Sequence, residues 1–522
     1  MRGKGAAPLH FSFEVKDTDL LGRIGVLKVG GKTLDTPCLL PVVHPVNQAV
    51  STDELKAMGF EGLMTNSYII GSRRREEALR GGIHEMLGFD GVLMTDSGGY
   101  QVLEYGDLKI GYGEVASFQA EIGSDLAVTL DRPTGYPQTR HAAEDSVGYS
   151  LKNAVSTIRE YGDRRTVWVG PVQGGLYQDL VSKSAASLWK AGFEILALGS
   201  PVQVMENYMF ADLLKMVLAA RRPLPYSIPL HLFGAGHPLT MALAVALGCD
   251  TFDSASYALF ARNGRYMSHG GVLSLEMMKY LPCSCSVCVR TSVRDLQEVD
   301  ARERAKLIAT HNLYMLREEV EACKEAIAEG RLWDLVEEKS MAHPKLRDAF
   351  VELSKRRDLL IAGTPLLKER GLMLRSEEDL ERPELASAGK RLGGVLKRKS
   401  RTAVLLASWD SVPVEKKRHR SAGSPDRSDI YRIHPALGLY PAELDFVYPF
   451  TQFVTAEGIG GRTSIKEAAA RLRKLGYRSV KVSKAGAVRR NSSRWVMNRR
   501  NRRGASPSPQ SSSPRPRSPR HP

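Results

Sequence analysis

The sequence predicts a parallel α/β fold, with eight strands alternating with helices and closed into a (β/α)8 TIM barrel. Three observations carry this. Short apolar, β-prone runs recur eight times in the first half of the chain. Longer segments with apolar residues at helical spacing separate them. Capping and turn residues mark the boundaries, and strict strand–helix alternation argues for parallel pairing. A doubly wound open sheet shares that alternation, and the count of eight favours the barrel.

The runs are PCLLPVV (37–43), GLMTN (62–66), GVLMT (91–95), LAVTL (126–130), TVWVGPV (166–172), EILAL (194–198), IPLHLF (228–233) and DTF (250–252). Between the first two, STDELKAMGF opens a helix, with Ser51 and Glu54 spaced as a capping box. DLVSKSAASLWKAGF has helical periodicity, and residues 295–345 are strongly helical, with DARERAKLIATHNLYMLREEVEACKEAIAEG the clearest case. Beyond residue 350 the texture changes. SAGSPDRSD (421–429) reads as a loop and VYPFTQF (447–453) as an extended aromatic segment. TSIKEAAARLRKLGYRSVKV (463–482) reads as a helix and then a strand, with Ser464 and Glu467 as a second capping box. From about 487 Arg, Ser and Pro dominate, a composition that cannot form a core and predicts disorder. The expected organisation is a catalytic barrel over 1–345 with a cysteine-containing subdomain at about 280–345, followed by an accessory domain over 346–455. A helix–strand piece of a second accessory domain (456–486) and a basic tail (487–522) complete the chain.

At 522 residues, with 43% hydrophobic and 25% charged residues, the chain has the composition of a soluble globular protein. The longest apolar run, MALAVALG (241–248), falls far short of the roughly 20 residues of a membrane span. The start, MRGKGAAPLHFSFEVKDTDL, has no apolar core of a secretory signal. Six cysteines in so long a chain argue against a disulfide scaffold and for a reducing compartment, so a cytoplasmic protein without membrane partners is expected. Of the net charge of +16, ten charges come from the arginines of residues 487–522, which include no acid. KRLGGVLKRKSR (390–401) adds a second basic run. Such runs are either solvated faces or contacts to a polyanion, for which nucleic acid is the best candidate.

In a barrel, reactive side chains gather at the C-terminal ends of the strands. Asp96 in MTDSGGYQ follows the third strand, Asp131 in VTLDRPTG the fourth, Gln173 in GPVQGG the fifth, Gly199 in LGSP the sixth and Asp253 in DTFDSASY the eighth. An Asp after a strand is also an ordinary turn former or helix cap. Several at one mouth suit cleavage of an acetal-like C–N or C–O bond, one carboxylate attacking or stabilising the anomeric carbon while another moves protons. The turn SGGY, from Ser97 to Tyr100, lets the backbone approach a flat ligand, on which Tyr100 could stack. LPCSCSVCVR (281–290) packs Cys283, Cys285 and Cys288 into six positions, a spacing of metal ligands rather than disulfides. The nearest downstream fourth ligand is His311, and His269 in SHGG is the weaker rival. A Cys3His set fills a tetrahedron, so the expected metal is one structural Zn2+ per chain.

MTDSGGYQ, VTLD, PVQGG, FDSASYALFAR and CSCSVC followed by His311 together closely resemble the tRNA-guanine transglycosylases, and within them the archaeal, archaeosine-forming branch. The resemblance covers roughly residues 10–345, and its combination of motifs is specific although no single one is. It implies a (β/α)8 barrel with a zinc subdomain, and exchange of a tRNA guanine for a free deazaguanine through a covalent enzyme–ribose intermediate. By the same resemblance Asp253 would be the nucleophile at C1′ and Asp96 the acid/base on the bases, with the exchanged assignment as the rival. Asp131 and Gln173 would read the polar edge of the base, aided by Ser97 and the backbone at Gly199 and Ser200, and Tyr100 and Phe233 would sandwich its ring. By analogy with retaining glycosidases the two working carboxylates should stand about 5 Å apart. DSASYALFAR in place of a DCVxPTR-like run points to insertion of 7-cyano-7-deazaguanine at position 15 rather than exchange at the wobble guanine 34. The branch's C-terminal RNA-binding PUA domain is not recognisable, which leaves a role for a separate RNA-binding protein. A homodimer through the zinc region is also implied. A non-catalytic zinc-containing partner subunit and a metal-dependent barrel hydrolase are the other classes. The carboxylates argue against the first, and the absence of several strand-end histidines against the second.

Overall fold

The computed structural model describes residues 11–99, 111–162, 165–406, 428–461 and 463–483. All eight apolar runs form strands of one sheet: β1 (Cys38–Pro41), β2 (Gly62–Asn66), β3 (Val92–Asp96), β4 (Leu126–Val128), β5 (Val167–Val172), β6 (Ile195–Leu198), β7 (Leu230–Leu232) and β8 (Thr251–Ser254). Neighbours in the sheet run β1-β8-β7-β6-β5-β4-β3-β2, and every pair is parallel. A parallel bridge between Val42 and Met64, with the Val43 N–H donating to the Met64 carbonyl at 2.8 Å, joins β1 to β2 and closes the barrel.

Each strand is buried on both faces, and its period of two sorts residues between two cores. Val92 and Met94, Leu126 and Val128, Val167 and Val169, Ile195 and Ala197 share one cluster inside the barrel. Their alternates, Leu93, Ala127, Trp168, Leu196 and Leu198, pack outward against the helices. The same phase carried to the strand ends decides which polar residues face the mouth.

An antiparallel three-stranded sheet precedes the barrel, formed by Phe11–Asp19, Gly22–Val29 and Lys32–Thr36. The eight-run pattern gives no sign of it, because its strands carry charged residues on the solvent face. Its Phe11, Leu27, Val29 and Leu34 join the inner barrel cluster. Leu34 lies against Gly62, the first residue of β2, so this sheet plugs the end opposite the mouth.

The predicted helical region is dominated by the helix Ala301–Ala328, which starts at an Asp300 cap and buries Ile308, Leu313, Leu316, Val320 and Ile327 in the outer core. Ser51 with Glu54, and Ser464 with Glu467, form the two capping boxes as the sequence predicts. Further on, Gly438–Pro441, Ser428–His434, Thr402–Leu406 and Ser479–Ser483 make a four-stranded mixed sheet in that order. Residues 456–483 therefore share a sheet with residues 402–441, and Leu472 shares a core with Leu405 and Ala388. VYPFTQF is extended only from Phe453; residues 447–452 turn instead. The reason is packing: Tyr448 enters one small core and Phe450 another, which one flat strand could not arrange.

This part is fastened to the barrel by buried charge. Lys368 Nζ donates to Asp19 Oδ1 at 2.8 Å and to Glu384 Oε1 at 2.6 Å, all three side chains being at most 2% exposed. Removing the ammonium would strand two carboxylates away from water, a strongly destabilising change. In the second basic run, Lys390 pairs with Asp358 and Lys399 with Glu443. Among the described residues no helix is long and apolar enough to cross a membrane. SAGSPDRSD, apart from its last two residues, and the tail from 487 lie outside the described residues.

Candidate active site

Asp96 ends β3 in phase with Val92 and Met94, so its carboxyl turns into the mouth. Asp253 in β8 follows Thr251 on the inner face, because Phe252 between them packs outward. Gln173 lies in phase with Val167 and Val169, and Gly199 with Ile195 and Ala197. Phe233 packs on the inner cluster. The sequence-predicted residues of five strands thus share one opening, as strand-end register requires.

The Gln173 Nε2 amide donates to Asp131 Oδ2 at 2.7 Å. Its Oε1 accepts from the Thr134 N–H at 3.0 Å, the Thr134 hydroxyl at 3.1 Å and the Ser200 hydroxyl at 3.0 Å. Three donors on one oxygen fix which way the amide faces. Space is equally restricted: a Cβ on Gly199 would stand 2.2 Å from Gln173 Nε2, and one on Gly99 2.3 Å from Asp131 Oδ1. Ser200 itself has φ 63°, a left-handed conformation unusual for a non-glycine residue, held by its bonds to Gln173 and the Gly135 N–H. The Ser97 hydroxyl is buried at the mouth, and among the described residues it has no hydrogen-bond partner. Tyr100 lies outside the described residues. A cavity of about 380 Å3 opens beside Ser97, Asp131 and Thr134, large enough for a heterocyclic base.

The carboxyls are not alike. Burial, and then the facing charges of Asp131 and Asp253, push Asp96 up to about 7, while the N–H groups of Gly98 and Ser97 pull against that rise. Burial pushes Asp131 up to about 6, with the Gln173 amide opposing it. Asp253 is held differently. Its Oδ1 lies 2.8 Å from the donating Gly234 N–H and 3.0 Å from His231 Nε2. A group poised near 7 beside a carboxylate is equipped to give and take protons at neutral pH.

Asn66, Thr134 and His231 were not singled out by sequence reasoning. Asn66 Nδ2 donates to Asp96 Oδ2, Thr134 anchors Gln173, and His231 contacts Asp253. Asn66 and His231 carried a usable signal, since each falls on the inner phase of its strand next to a reactive position.

On the flank of the barrel, ligand atoms of Cys283, Cys285, Cys288 and His311 lie within 4.8 Å of one another. His311 Nδ1 stands 3.5 Å from Cys285 Sγ and 3.4 Å from Cys288 Sγ. Metal–S and metal–N bonds of about 2.3 and 2.1 Å at a tetrahedral angle give a separation near 3.6 Å, so the donor set fits a tetrahedral metal. The other ring nitrogen, Nε2, is 2.8 Å from the Met267 carbonyl and donates to it, which leaves Nδ1 free to ligate. Tyr266 stacks on the imidazole with centroids 3.6 Å apart, and its hydroxyl is 3.2 Å from Cys288 Sγ. His269, the weaker rival, is engaged by Glu319 and Glu318 instead.

Residues 17–345 match the family model described as Queuine tRNA-ribosyltransferase. A protein of Aeropyrum pernix named tRNA-guanine(15) transglycosylase is 40% identical over 491 residues, 91% of this chain and 95% of its own. Its namesake from Methanopyrus kandleri is 43% identical over 386 residues, 74% of this chain and 83% of its own. That of Sulfolobus acidocaldarius is 36% identical over 447 residues, covering 84% and 88%. The extent of these matches, over a barrel whose mouth gathers the expected carboxyls and amide, makes the chain a member of the queuine tRNA-ribosyltransferase family.

Proposed function

We propose that this protein is a cytoplasmic tRNA-guanine(15) transglycosylase, which replaces guanine 15 in the D-arm with free 7-cyano-7-deazaguanine through a covalent aspartyl-ribose intermediate. The single observation that carries the reading is the meeting of acidic groups at one mouth, where burial and the facing charges of Asp131 and Asp253 push Asp96 up to about 7. In the first half-reaction a carboxylate oxygen of Asp253 bonds to C1′ as the C1′–N9 bond breaks. The electron pair leaves with guanine, which takes a proton from neutral Asp96. In the second, Asp96 as carboxylate removes the N–H proton of the incoming base, whose nitrogen displaces Asp253 from C1′. Two displacements retain configuration at the sugar. The Gln173–Asp131 pair offers a donor–acceptor edge to the base, Ser97 a hydroxyl, and Phe233 and Tyr100 the two faces.

Position 15 is supported by DSASYALFAR and by the names of the relatives, and the cyano-bearing base by the resemblance that DSASYALFAR carries. The metal is Zn2+, held by Cys283, Cys285, Cys288 and His311. When bound it ties the cysteine loop to the helix Ala301–Ala328 and, with no open position, takes no part in the reaction. A homodimer, and a separate RNA-binding protein doing the work of a PUA domain, complete the proposal. The test is incubation with purified tRNA and labelled guanine, followed by mapping of the label. Label at position 15 is expected. Label at position 34 would make this a wobble-type enzyme, and no incorporation would return the partner-subunit reading.

A further inference from the structure

His231 is fully buried in the middle of β7. Leu230 and Leu232 on either side pack outward into the helices, so the imidazole faces inward, next to β8. Its Nδ1 is 2.9 Å from the Thr251 hydroxyl and its Nε2 is 3.0 Å from Asp253 Oδ1. A neutral imidazole has one donor and one acceptor nitrogen, and an ionised carboxylate only accepts. Nε2 therefore carries the proton, and Nδ1 accepts from the Thr251 hydroxyl. The Gly234 N–H donates to that same Oδ1 at 2.8 Å. Two donors thus meet on Oδ1, and no described residue donates to Oδ2.

We propose that His231 is a positioning residue, which turns the Asp253 carboxylate so that Oδ2 is the oxygen that attacks C1′. The inference rests on the reaction proposed above. A carboxylate free to rotate presents either oxygen, in a range of planes. One bonded twice through Oδ1 presents a single oxygen in one plane, and near-attack geometry is what the rate depends on. As the Oδ2–C1′ bond forms, C1′–N9 breaks, the electron pair departs with guanine and the proton comes from Asp96. Oδ1 becomes the ester carbonyl and keeps both donors. When the incoming base displaces Asp253, negative charge returns to an oxygen already facing two N–H groups, which eases departure. Thr251 matters because its hydroxyl holds the tautomer that puts the proton on Nε2. His231 also stands edge-on to Phe233 at 5.0 Å, so binding of the base must be followed separately from the rate.

The experiment compares the full-length protein with His231→Leu, His231→Gln, Thr251→Val and Asp253→Ala, measuring kcat and KM for guanine exchange into tRNA and the adduct on denaturing gels. His231→Leu is expected to lower kcat about 10- to 100-fold, the loss of one bond to a charged group, with KM for tRNA within about twofold. His231→Gln, whose amide N–H can reach Oδ1, should recover most of that rate, which a merely structural role would not predict. Thr251→Val, nearly the same shape, should fall between them and carries the test should the leucine variant not fold. A Thr251→Val or folded His231→Leu enzyme with the wild-type kcat, or a glutamine variant as impaired as the leucine one, would overturn the positioning role. An adduct persisting in Asp253→Ala would instead overturn the reaction on which it rests.

Discussion

The side-chain amide of Asn66 donates to Asp96 Oδ2 at 2.8 Å and so ties the last residue of β2 to the last residue of β3. The same side chain caps the next helix by accepting the Ile69 N–H at 3.0 Å, which fixes its orientation. Because Asp96 sits at about 7, the half-reaction that needs it neutral slows above that pH and the half-reaction that needs it ionised slows below. Overall exchange should therefore peak near pH 7. Asp96→Asn should keep base binding, slow exchange and flatten what remains of the profile; an unchanged profile would remove Asp96 from proton transfer.

The same shift makes a prediction about stability. A carboxyl whose folded value is raised binds its proton more tightly in the native state, so its contribution to stability is full below about 4 and is lost as the pH rises to about 7. Asp96→Asn has no charge to bury. Its unfolding temperature relative to the wild type should thus be higher at pH 8 than at pH 4, by a few degrees, as thermal melts at the two values would report.

Gln173 is aimed at Asp131 by three hydrogen bonds to its other end, and nothing can grow from Gly199 without striking it. Gln173→Ala should raise KM for the free base about 10- to 100-fold, the loss of a bond to a charged partner. Gly199→Ala should do the same without removing any polar group, because the new Cβ would push the amide off Asp131. A Gly199→Ala enzyme with unaltered KM would show that the amide's position is not what binds the base.

Much of this was legible in the sequence, for a reason visible in particular elements. All eight barrel strands are buried on both faces and read as continuous apolar runs, so GLMTN and EILAL stand out against the amphipathic helices between them. Their ends locate Asp96, Gln173, Gly199 and Asp253 directly. The N-terminal sheet was invisible because FSFEVKDTD alternates and is half solvated. VYPFTQF misled because aromatic β-propensity says nothing of two cores competing for Tyr448 and Phe450. Asn66 and His231 escaped notice because polar residues inside apolar runs acquire meaning only when the register shows which face they share. Cys283, Cys285 and Cys288 gave themselves away by spacing, whereas the bonds from Tyr266 and to the Met267 carbonyl are tertiary and could not be read.

The metal should be structural. Metal analysis is expected to find about one zinc per chain, and His311→Ala should lower metal content and melting temperature together. Tyr266→Phe, which removes only the hydroxyl beside Cys288, should weaken metal affinity by about tenfold. Full activity and stability after complete removal of the metal would rule the structural role out.

The arginine-rich tail should strengthen tRNA binding without choosing the base. Phosphate contacts position a nucleic acid and carry no sequence information. Ending the chain after residue 486 removes ten arginines and no acid. Titrations at two salt concentrations should then show weaker binding and a shallower salt dependence, with the exchanged position unchanged. Equal affinities and slopes would make the tail a passive appendage.

On the proposed reaction Asp253, and not Asp96, bonds to the ribose. The direct measurement is to trap the enzyme–tRNA adduct by denaturation, digest both components and locate the ribose-bearing peptide by mass spectrometry. The added mass is expected on the peptide containing Asp253, with no adduct at all from Asp253→Ala. A ribose attached at Asp96, or an adduct that survives the loss of Asp253, would contradict it.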